Sequence, residues 1–337
     1  MGARRCQHGH GGPADPPGTA AGARRSPAVV LTRRPPPRQR LVDYAFGVGW
    51  AVTRHCPEPV AERVLEGVAD RLWRQHGSGV VQLEANLRRA APGLGPAELR
   101  ALSQQAMRSY FRYWHEAFRL PAWSQRRVVD GVVTSNESTL RGVYARGHGA
   151  VVSLPHMANW DLAGAWACLT GLPVSTVAER LRPESLFNRF VGYRAQLGIE
   201  VVPSTGAESP LAAMRAALAR GRVVCLLGDR ALGKGAVDVR LLGEPARLSG
   251  GPAALARMAK VPLVVAVASY RGPLLHLEIS DPIDPVAGRG GVVAMTQQVA
   301  DVFGAGIRRS PQDWHMLQPV FVADLAAGAQ PESGRQP

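Results

Sequence analysis

The sequence has few cysteines, almost no lysine and no long apolar run. Its four cysteines, Cys6, Cys56, Cys168 and Cys225, are scattered and form no Cys-x-x-Cys pair, which argues against a zinc site and a disulfide framework. No apolar run approaches the roughly 18 residues that a membrane-spanning helix needs. The Arg-rich N-terminus lacks the apolar core of a secretory signal. We therefore expect no bound metal, and a location in the cytoplasm or on the cytoplasmic face of a membrane.

Charge is distributed unevenly along the 337 residues. Forty basic and twenty-six acidic side chains give a formal net charge of +14, and only Lys234 and Lys260 among the basic residues are lysines. Half of the excess lies in residues 1–40, which hold eight Arg and one Asp. We expect anionic partners, namely phosphate groups or an anionic membrane surface. Nucleic acid is not an expected partner, because the charge concentrates in one tail and no reader motif is present.

The chain divides into a tail, a folded domain and a second tail. Residues 1–40 contain six Gly and seven Pro, a composition that cannot bury enough apolar surface to order itself. This segment is either a disordered basic tail or an over-long gene start. Residues 41–325 are long enough for a single domain with a sizeable core. Residues 326–337 are predicted to be a disordered polar tail.

The apolar pattern changes from helical to alternating along the chain. Helices are predicted over 41–54, 58–75, 80–90 and 96–119, from apolar residues recurring every three to four positions. Short apolar runs then alternate with helical stretches, which indicates βαβ units and a mostly parallel sheet. The fold class is therefore α/β, with a central sheet covered by helices and a helical N-terminal segment. The predicted strands are 128–133, 150–154, 174–177, 199–202, 223–227, 237–242 and 263–268, and the later helices are 159–171, 184–196, 208–220, 250–260 and 291–309.

The sharpest local feature follows the apolar strand 150–154. His156 comes directly after it, Asn159 is a good N-cap for the next helix, and Asp161 falls in that helix's first turn. Ligands of open α/β sheets bind at the carboxyl ends of strands. In this geometry Asp161 could hold one imidazole nitrogen of His156 and leave the other free as a general base. A structural His at a helix start is an equally good interpretation of the spacing alone.

No enzyme nucleophile competes with this His–Asp pair. None of the serines stands in a Gly-x-Ser-x-Gly turn, and no Cys lies beside a His in a pattern that suggests a dyad. A pair without a nucleophile implies direct activation of a substrate hydroxyl or of water. Transfer or hydrolysis without a covalent intermediate is therefore favoured.

A second feature follows the strand 223–227. The run Gly228 to Lys234 matches the start of a phosphate-binding P-loop, but Gly235 replaces the Ser or Thr that would bind Mg²⁺. A strand-like segment follows where a P-loop needs a helix, so nucleotide binding is disfavoured. Asp229 and Arg230 could instead face the same cleft as His156. A surface Asp–Arg pair is the alternative interpretation.

A third feature is the small-residue segment 243–252. Its small residues at a helix start would let backbone N–H groups approach an anion, and Arg247 adds positive charge. An ordinary loop with a helix cap is the simpler interpretation.

These motifs together resemble a family of lipid acyltransferases. His156-x4-Asp161 after an apolar strand resembles the H-x4-D motif of glycerolipid and lipid A acyltransferases, and the wider pattern resembles their lauroyl/myristoyl branch. Within it the likeness is closest to actinobacterial phosphatidylinositol mannoside acyltransferases. The ordered set of supporting segments spans about 41–325. These segments are 84–89, 156–164, 178–181, 187–197, 228–230, 243–256 and the Trp-His-Met-Leu-Gln-Pro ending at 314–319.

The resemblance implies an acyl-CoA-dependent transferase that acylates a sugar hydroxyl of a membrane glycolipid, here a mannose of phosphatidylinositol mannosides. His156 would be the general base and Asp161 its orienting acid, while Asp229 stands where the family has an acidic residue before Arg. The shorter Asp side chain leaves open whether it reaches His156. Acyl-CoA would be a co-substrate, with no other cofactor. The residues implied in binding the acyl donor and the phosphorylated acceptor are Glu179, Arg194, Arg230 and Arg247.

The helix predicted at 41–54 has the composition of a membrane-interface helix. Tyr44 and Trp50 lie on or beside its apolar stripe, and Arg residues flank it. Such a peripheral contact would bring the enzyme to a lipid acceptor on the cytoplasmic face of the cell membrane. The alternative is a helix that packs its stripe on the domain. The remaining functional alternatives are a same-family enzyme with another lipid acceptor and a P-loop nucleotide-binding protein.

Overall fold

The computed structural model describes residues 49–50, 53–178, 184–203, 209–231 and 235–328. All of them belong to the second of two compact units, Pro37–Pro337. The predicted N-terminal tail and residues 329–337 lie outside the described residues. So does most of the predicted helix 41–54, of which residues 49–50 and 53–54 are described and helical.

A helical layer precedes the sheet. The helix Pro96–Arg119 begins at a proline, whose fixed φ suits a first turn. The Ser124 hydroxyl accepts the Arg127 N–H at the start of the helix Gln125–Asp130. Leu83, Leu87 and Met107 are buried where these helices meet. The layer consists of α1 (Glu58–Gln75), α2 (Ser78–Ala90), α3 (Pro96–Arg119), a 3-10 turn (Leu120–Ala122) and α4 (Gln125–Asp130).

A seven-stranded sheet forms the centre of the domain, in the order β1-β9-β8-β2-β5-β3-β4. Every neighbouring pair is parallel except β8 with β9. Strands β6 and β7 form a separate antiparallel hairpin. The strands are β1 (Val132–Ser135), β2 (Ala150–Leu154), β3 (Val174–Ala178), β4 (Glu200–Pro203), β5 (Val223–Leu227), β6 (Ala236–Leu241), β7 (Glu244–Ser249), β8 (Leu263–Arg271) and β9 (Leu274–Ile279).

Helices cover both faces of this sheet. One apolar core contains Leu255, Phe303 and Trp314, and another contains Leu162 and Trp166. Strand β2 is buried at all five positions, as expected for a parallel strand between two helical layers. The covering helices are α5 (Glu137–Tyr144), α6 (Trp160–Leu169), α7 (Glu184–Gln196), α8 (Pro210–Ala219), α9 (Gly251–Ala259), α10 (Gly291–Arg309) and α11 (Val322–Gly328), with a 3-10 turn at Pro311–Asp313.

The predicted fold class is confirmed, with local corrections. The strand predicted at 128–133 is wrong for its first four residues, because the Ser124 cap starts a short helix that runs to Asp130, with Gly131 as its C-cap. Strand β7 occupies part of the predicted loop 243–252. Helix α5 and strand β9 were not predicted. No helix in the described ranges is long and apolar enough to cross a bilayer.

Candidate active site

The register of two central strands places His156 beside Asp229. Strands β2 and β5 are parallel neighbours, and their last residues, Leu154 and Leu227, are paired. His156 and Asp229 each lie two residues further on, so both emerge at the same carboxyl edge. The Gly228 N–H continues the ladder by donating to the Leu154 carbonyl over 2.8 Å. Parallel pairing therefore brings together residues separated by 73 positions in the chain.

Asp229 holds His156 by two hydrogen bonds. Its Oδ1 lies 2.6 Å from His156 Nδ1, and its Oδ2 accepts the His156 backbone N–H over 2.8 Å. A carboxylate can only accept hydrogen bonds, so Nδ1 must carry the proton and Nε2 has a free lone pair. Asp229 is fully buried, whereas the His156 side chain is 24% exposed. The arrangement is that of an oriented general base open to a substrate.

The surroundings keep the Asp229 carboxyl ionised. Burial opposes ionisation, but the facing His156 and the hydrogen bonds from His156 and Trp314 together hold the pKa of Asp229 below its usual value. The Trp314 indole N–H donates to Asp229 Oδ2 over 2.9 Å. Trp314 is itself completely buried. Sequence reasoning gave it no role, although it opens the Trp-His-Met-Leu-Gln-Pro run that carried part of the resemblance.

Asp161 does not take the position that the sequence predicted for it. Its Oδ1 accepts Arg194 Nε over 2.7 Å, and its Oδ2 accepts the Tyr113 hydroxyl over 3.0 Å. The expectation that Asp161 orients the His156 ring is therefore corrected: the structure gives that place to Asp229. The physical reason is that Asp161 lies in the first turn of α6, where it meets Arg194 of α7 and Tyr113 of α3. Asp161 and Arg194 are thus brought together as a buried ion pair.

Hydrogen bonds of the Asn159 side chain hold the turn that carries His156. The Asn159 side chain accepts the Leu162 N–H over 2.9 Å, which confirms it as the N-cap of α6. Its amide also donates to Glu116 Oε2 over 2.8 Å. The same oxygen accepts the Tyr270 hydroxyl over 2.9 Å. Glu116 therefore links α3, β8 and the catalytic turn.

The C-terminal segment crosses the site and completes it. The His315 N–H donates to the His156 carbonyl over 2.8 Å. The Ser109 hydroxyl donates to Asp313 Oδ1 over 2.8 Å and lies 2.9 Å from His315 Nε2. Burial, together with the nearby His156, lowers the pKa of His315 to about 3, so this ring is neutral.

An apolar cavity lies beside the catalytic turn, between α6 and the sheet. Trp160, Asp161 and Arg194 form its polar and aromatic part. Apart from Trp166 and Thr176, its remaining wall is small or aliphatic. That wall includes Val152, Leu154, Gly164, Ala167 and Cys225. The lining suits an apolar chain, but the cavity volume is about 80 Å³, below the roughly 300–1,000 Å³ of small-molecule sites, so a long chain requires its walls to move apart.

The other predicted binding residues have different surroundings. Arg230 follows Asp229 directly and is partly buried. Arg247 lies on β7, where its Nε donates to Asp238 Oδ1 over 2.9 Å, and both side chains are at least half exposed. Glu179 lies outside the described residues.

Strand β6 follows the near-P-loop directly at Ala236, so the helix that a P-loop requires is replaced by a strand.

Metal chemistry has no ligand set in the described part of the chain. No cluster of three or more His, Cys, Asp or Glu side chains there could hold an ion. The polar groups at the carboxyl edge instead form the His156–Asp229–Trp314 chain.

Comparison with known proteins identifies the family of this chain. The bacterial lipid A biosynthesis acyltransferase family matches residues 34–322. A phosphatidylinositol mannoside acyltransferase of Mycolicibacterium smegmatis is 39% identical over 300 residues, covering 88% of this chain and 97% of the relative. One of Mycobacterium tuberculosis is 39% identical over 289 residues, covering 84% of this chain and 90% of the relative. The chain therefore belongs to the bacterial lipid A biosynthesis acyltransferase family and is an acyltransferase.

Proposed function

We propose that this acyltransferase transfers a fatty acyl chain from acyl-CoA to a mannose hydroxyl of a phosphatidylinositol mannoside. The observation that carries the proposal is the His156–Asp229 pair, which lies next to Leu154 and Trp160 of the apolar cavity wall. The acceptor is inferred from the names of the two relatives, which align over nearly their whole length. The phosphorylated glycolipid and acyl-CoA are the two substrates.

His156 is the general base in this proposal. Its Nε2 takes the proton of the acceptor hydroxyl while the hydroxyl oxygen attacks the thioester carbonyl. The C–O bond forms, the C–S bond breaks, and the imidazolium returns its proton to the CoA thiolate. Asp229 keeps Nδ1 protonated and stabilises the imidazolium. A thiolate is a good leaving group, so a single base is sufficient.

The environment of Cys225 supports transfer without an acyl-enzyme. Cys225 lines the apolar cavity, but burial raises the pKa of its thiol to about 12. A thiol with that pKa is protonated at neutral pH and is a poor nucleophile. An acyl-enzyme at Cys225 is therefore disfavoured. Direct attack of the sugar hydroxyl on the thioester is the remaining route and needs no covalent intermediate.

The apolar cavity is the proposed site of the acyl chain. Its aliphatic wall suits a hydrocarbon chain, and each buried methylene contributes about 0.8 kcal/mol. The Asp161–Arg194 pair lies at the polar part of this lining. We assign Asp161 to holding Arg194 near the acyl donor, and Arg194, Arg230 and Arg247 with Glu179 to the donor and acceptor head groups. Guanidinium groups suit the phosphates of both substrates.

A peripheral contact with an anionic membrane on the cytoplasmic face is part of the proposal. Val60, Val64 and Val68 of α1 are 38% to 59% exposed, and their spacing of four places them along one side of the helix. Arg63 and Arg71 flank this α1 stripe. An exposed apolar stripe with basic flanks is typical of helices that lie in a membrane interface.

Two alternatives make different predictions. A same-family enzyme with another lipid acceptor would have the same catalytic pair, so only the acceptor distinguishes it. A P-loop protein would bind ATP with Mg²⁺ through Lys234, which the strand β6 disfavours.

The test is a substrate panel with purified protein. Palmitoyl-CoA is incubated separately with phosphatidylinositol mannosides, a lipid A precursor and diacylglycerol phosphate, and the products are resolved by mass. We expect acylation of the mannoside alone, and neither hydrolysis nor tight binding of ATP. Acylation of another lipid instead would leave the transfer chemistry intact and overturn the acceptor. Micromolar ATP affinity that depends on Lys234 would restore the P-loop interpretation.

A further inference from the structure

The segment that carries Trp314 is hydrogen-bonded to the turn that carries His156. The His315 N–H donates to the His156 carbonyl over 2.8 Å. Beside this bond, Trp314 and Met157 form an isolated antiparallel bridge. The backbone of residue 314 therefore has a fixed position relative to the base.

The Trp314 side chain acts on the site through one atom. The ring has no exposed surface, so it cannot touch a substrate. Its only polar atom, Nε1, donates to Asp229 Oδ2 over 2.9 Å. Any effect of this N–H on the acyl transfer must therefore pass through Asp229, which makes Trp314 a positioning residue and not a catalytic one.

Two donors share the same oxygen of Asp229. Its Oδ2 accepts the Trp314 indole N–H and the His156 backbone N–H, while Oδ1 lies 2.6 Å from His156 Nδ1. A hydrogen bond to a carboxylate stabilises the charge of that carboxylate and makes it less basic. The indole therefore draws on the same negative charge that stabilises the protonated His156 ring. Without the indole N–H, more of this charge would act on the imidazolium.

We propose that Trp314 sets the pH range in which His156 is available as a base, by moderating the charge of the Asp229 carboxylate. The inference rests on the proposed function, in which His156 takes the proton of the acceptor hydroxyl. With the indole in place, the imidazole stays unprotonated to a lower pH. The enzyme then keeps its base under more acidic conditions than the His156–Asp229 pair alone would allow.

The other titratable and charged side chains around the pair remain when the indole N–H is removed. His315 adds no charge, because burial and the nearby His156 lower its pKa to about 3. The others are Asp313 of the same segment, Tyr113 and Glu116 of α3, Asp161 of α6, Arg194 of α7 and Arg230 after β5. A change in the titration of His156 on removing the N–H therefore reports the bond between Trp314 and Asp229.

The test measures the protonation of His156 directly. Trp314→Phe keeps an aromatic ring and removes the N–H. Trp73→Phe is the matched control, since it removes an indole N–H that donates to Ser103 Oγ over 2.9 Å in the helical layer. The histidine ring signals of isotope-labelled full-length protein are followed by NMR across the pH range in which the protein stays folded. The signal of His156 is identified by its absence in His156→Ala.

We expect the midpoint of the His156 titration to rise in Trp314→Phe by roughly 0.5–1 pH unit, the equivalent of about one hydrogen bond. It should stay at the parental value in Trp73→Phe. The acidic limb of kcat for acyl transfer should move with it. A midpoint that is unchanged or lowered in Trp314→Phe would overturn the proposal. A raised midpoint in a protein whose parent acylates no mannoside would support the role of Trp314 and contradict the proposed function instead.

A second variant separates the N–H from the packing of the ring. Benzothienylalanine at position 314 keeps the bicyclic ring and replaces only the N–H group by sulfur, so this protein should fold even where Trp314→Phe does not. We expect the same rise in the midpoint. A parental midpoint in this variant would overturn the proposal.

Discussion

Asp229 is a buried carboxylate that the fold surrounds with donors. Two come from His156 and one from Trp314, so its charge is compensated rather than isolated. Asp161 carries a second buried charge only a few residues from His156, yet its partners are Arg194 and Tyr113. The two aspartates therefore have different tasks. Asp229 orients the His156 ring, and Asp161 holds Arg194 beside the apolar cavity.

Replacing Asp229 tests the first task. In Asp229→Asn the carboxamide can no longer hold Nδ1 as a carboxylate does or stabilise the imidazolium. We expect kcat for acyl transfer to fall by about 10²–10⁴ while the fold is kept. Steady-state kinetics with palmitoyl-CoA measure it, and Asp284→Asn, an exposed change away from the site, is the matched control. Near-parental kcat in Asp229→Asn would remove Asp229 from the mechanism.

His315 predicts a pH dependence of stability. Its pKa is lowered by burial from 6.5 to about 3, so between these values the unfolded chain binds more protons at this position than the folded one. Its contribution is therefore fully present above pH 6.5 and is lost as the pH falls toward 3. From pH 7 to 5 this loss amounts to up to about 2 kcal/mol.

Urea unfolding at pH 7 and pH 5 measures this effect. His315→Gln should lose less stability over that interval than the parent, and His148→Gln, which changes an exposed ring, should match the parent. Equal losses in all three proteins would show that His315 does not titrate as the structure implies.

At the scale of elements, two strand ends and one C-terminal segment build the site. The β2–β5 pairing aligns His156 with Asp229, and the segment after α10 supplies Trp314. Gly228 makes the close approach possible, since a Cβ there would lie 2.4 Å from Ser153 Oγ. A side chain at this position would therefore force Ser153 to move.

Gly228→Ala tests that approach. The added methyl must displace Ser153 or the Phe303 ring, which should destabilise the fold by about 1–3 kcal/mol and reduce activity by shifting Asp229. Gly142→Ala is the control, because nothing lies within 4 Å of its Cβ and Ala favours the helix. Thermal unfolding and activity are measured on both. A Gly228→Ala protein as stable and active as the parent would contradict the packing argument.

Local patterns predicted most elements but not their contacts. The predicted ranges that match the structure have a strong apolar pattern. They are strands 150–154 and 223–227 and helices 58–75, 96–119, 184–196 and 291–309. The strands were predicted from apolar runs that alternate with helical stretches. Strand β9 was missed because it follows β8 through a tight turn, with no helix between them. The predicted partner of His156, Asp161, was wrong because pairing across 73 residues depends on strand order, which local periodicity does not contain. Trp314 was missed for the same reason.

At the scale of the whole molecule, the question is how a chain without a described spanning helix reaches a lipid. Trp50 contacts the rings of Phe118 and Tyr193 at 5.0 and 5.4 Å, so at this position the predicted interface helix packs on the domain. A Trp50→Asp substitution would therefore test packing rather than membrane binding. Tyr44 and the neighbouring Phe46 of the predicted helix lie outside the described residues. Val60, Val64 and Val68 of the α1 stripe are described and exposed.

We expect the protein to bind anionic liposomes, and the binding to weaken as salt screens the arginines. Val60→Asp/Val64→Asp in α1 should remove much of this binding, because both valines are exposed and their burial in lipid is lost. Val293→Asp, an equally exposed valine on α10, is the control. Liposome cosedimentation measures all three proteins. Undiminished binding of the α1 variant would place the membrane contact elsewhere.

The most direct test of the account is product analysis with and without the base. Purified parent, His156→Ala and Asp284→Asn, an exposed change, are each incubated with palmitoyl-CoA and phosphatidylinositol mannosides, and lipids and free CoA are quantified by mass spectrometry. The account predicts a mannoside heavier by one palmitoyl group and an equal amount of CoA for the parent and for Asp284→Asn. It predicts neither above background for a folded His156→Ala. Acylated mannoside formed by His156→Ala at the parental rate would contradict the central claim that the His156–Asp229 pair activates the acceptor hydroxyl.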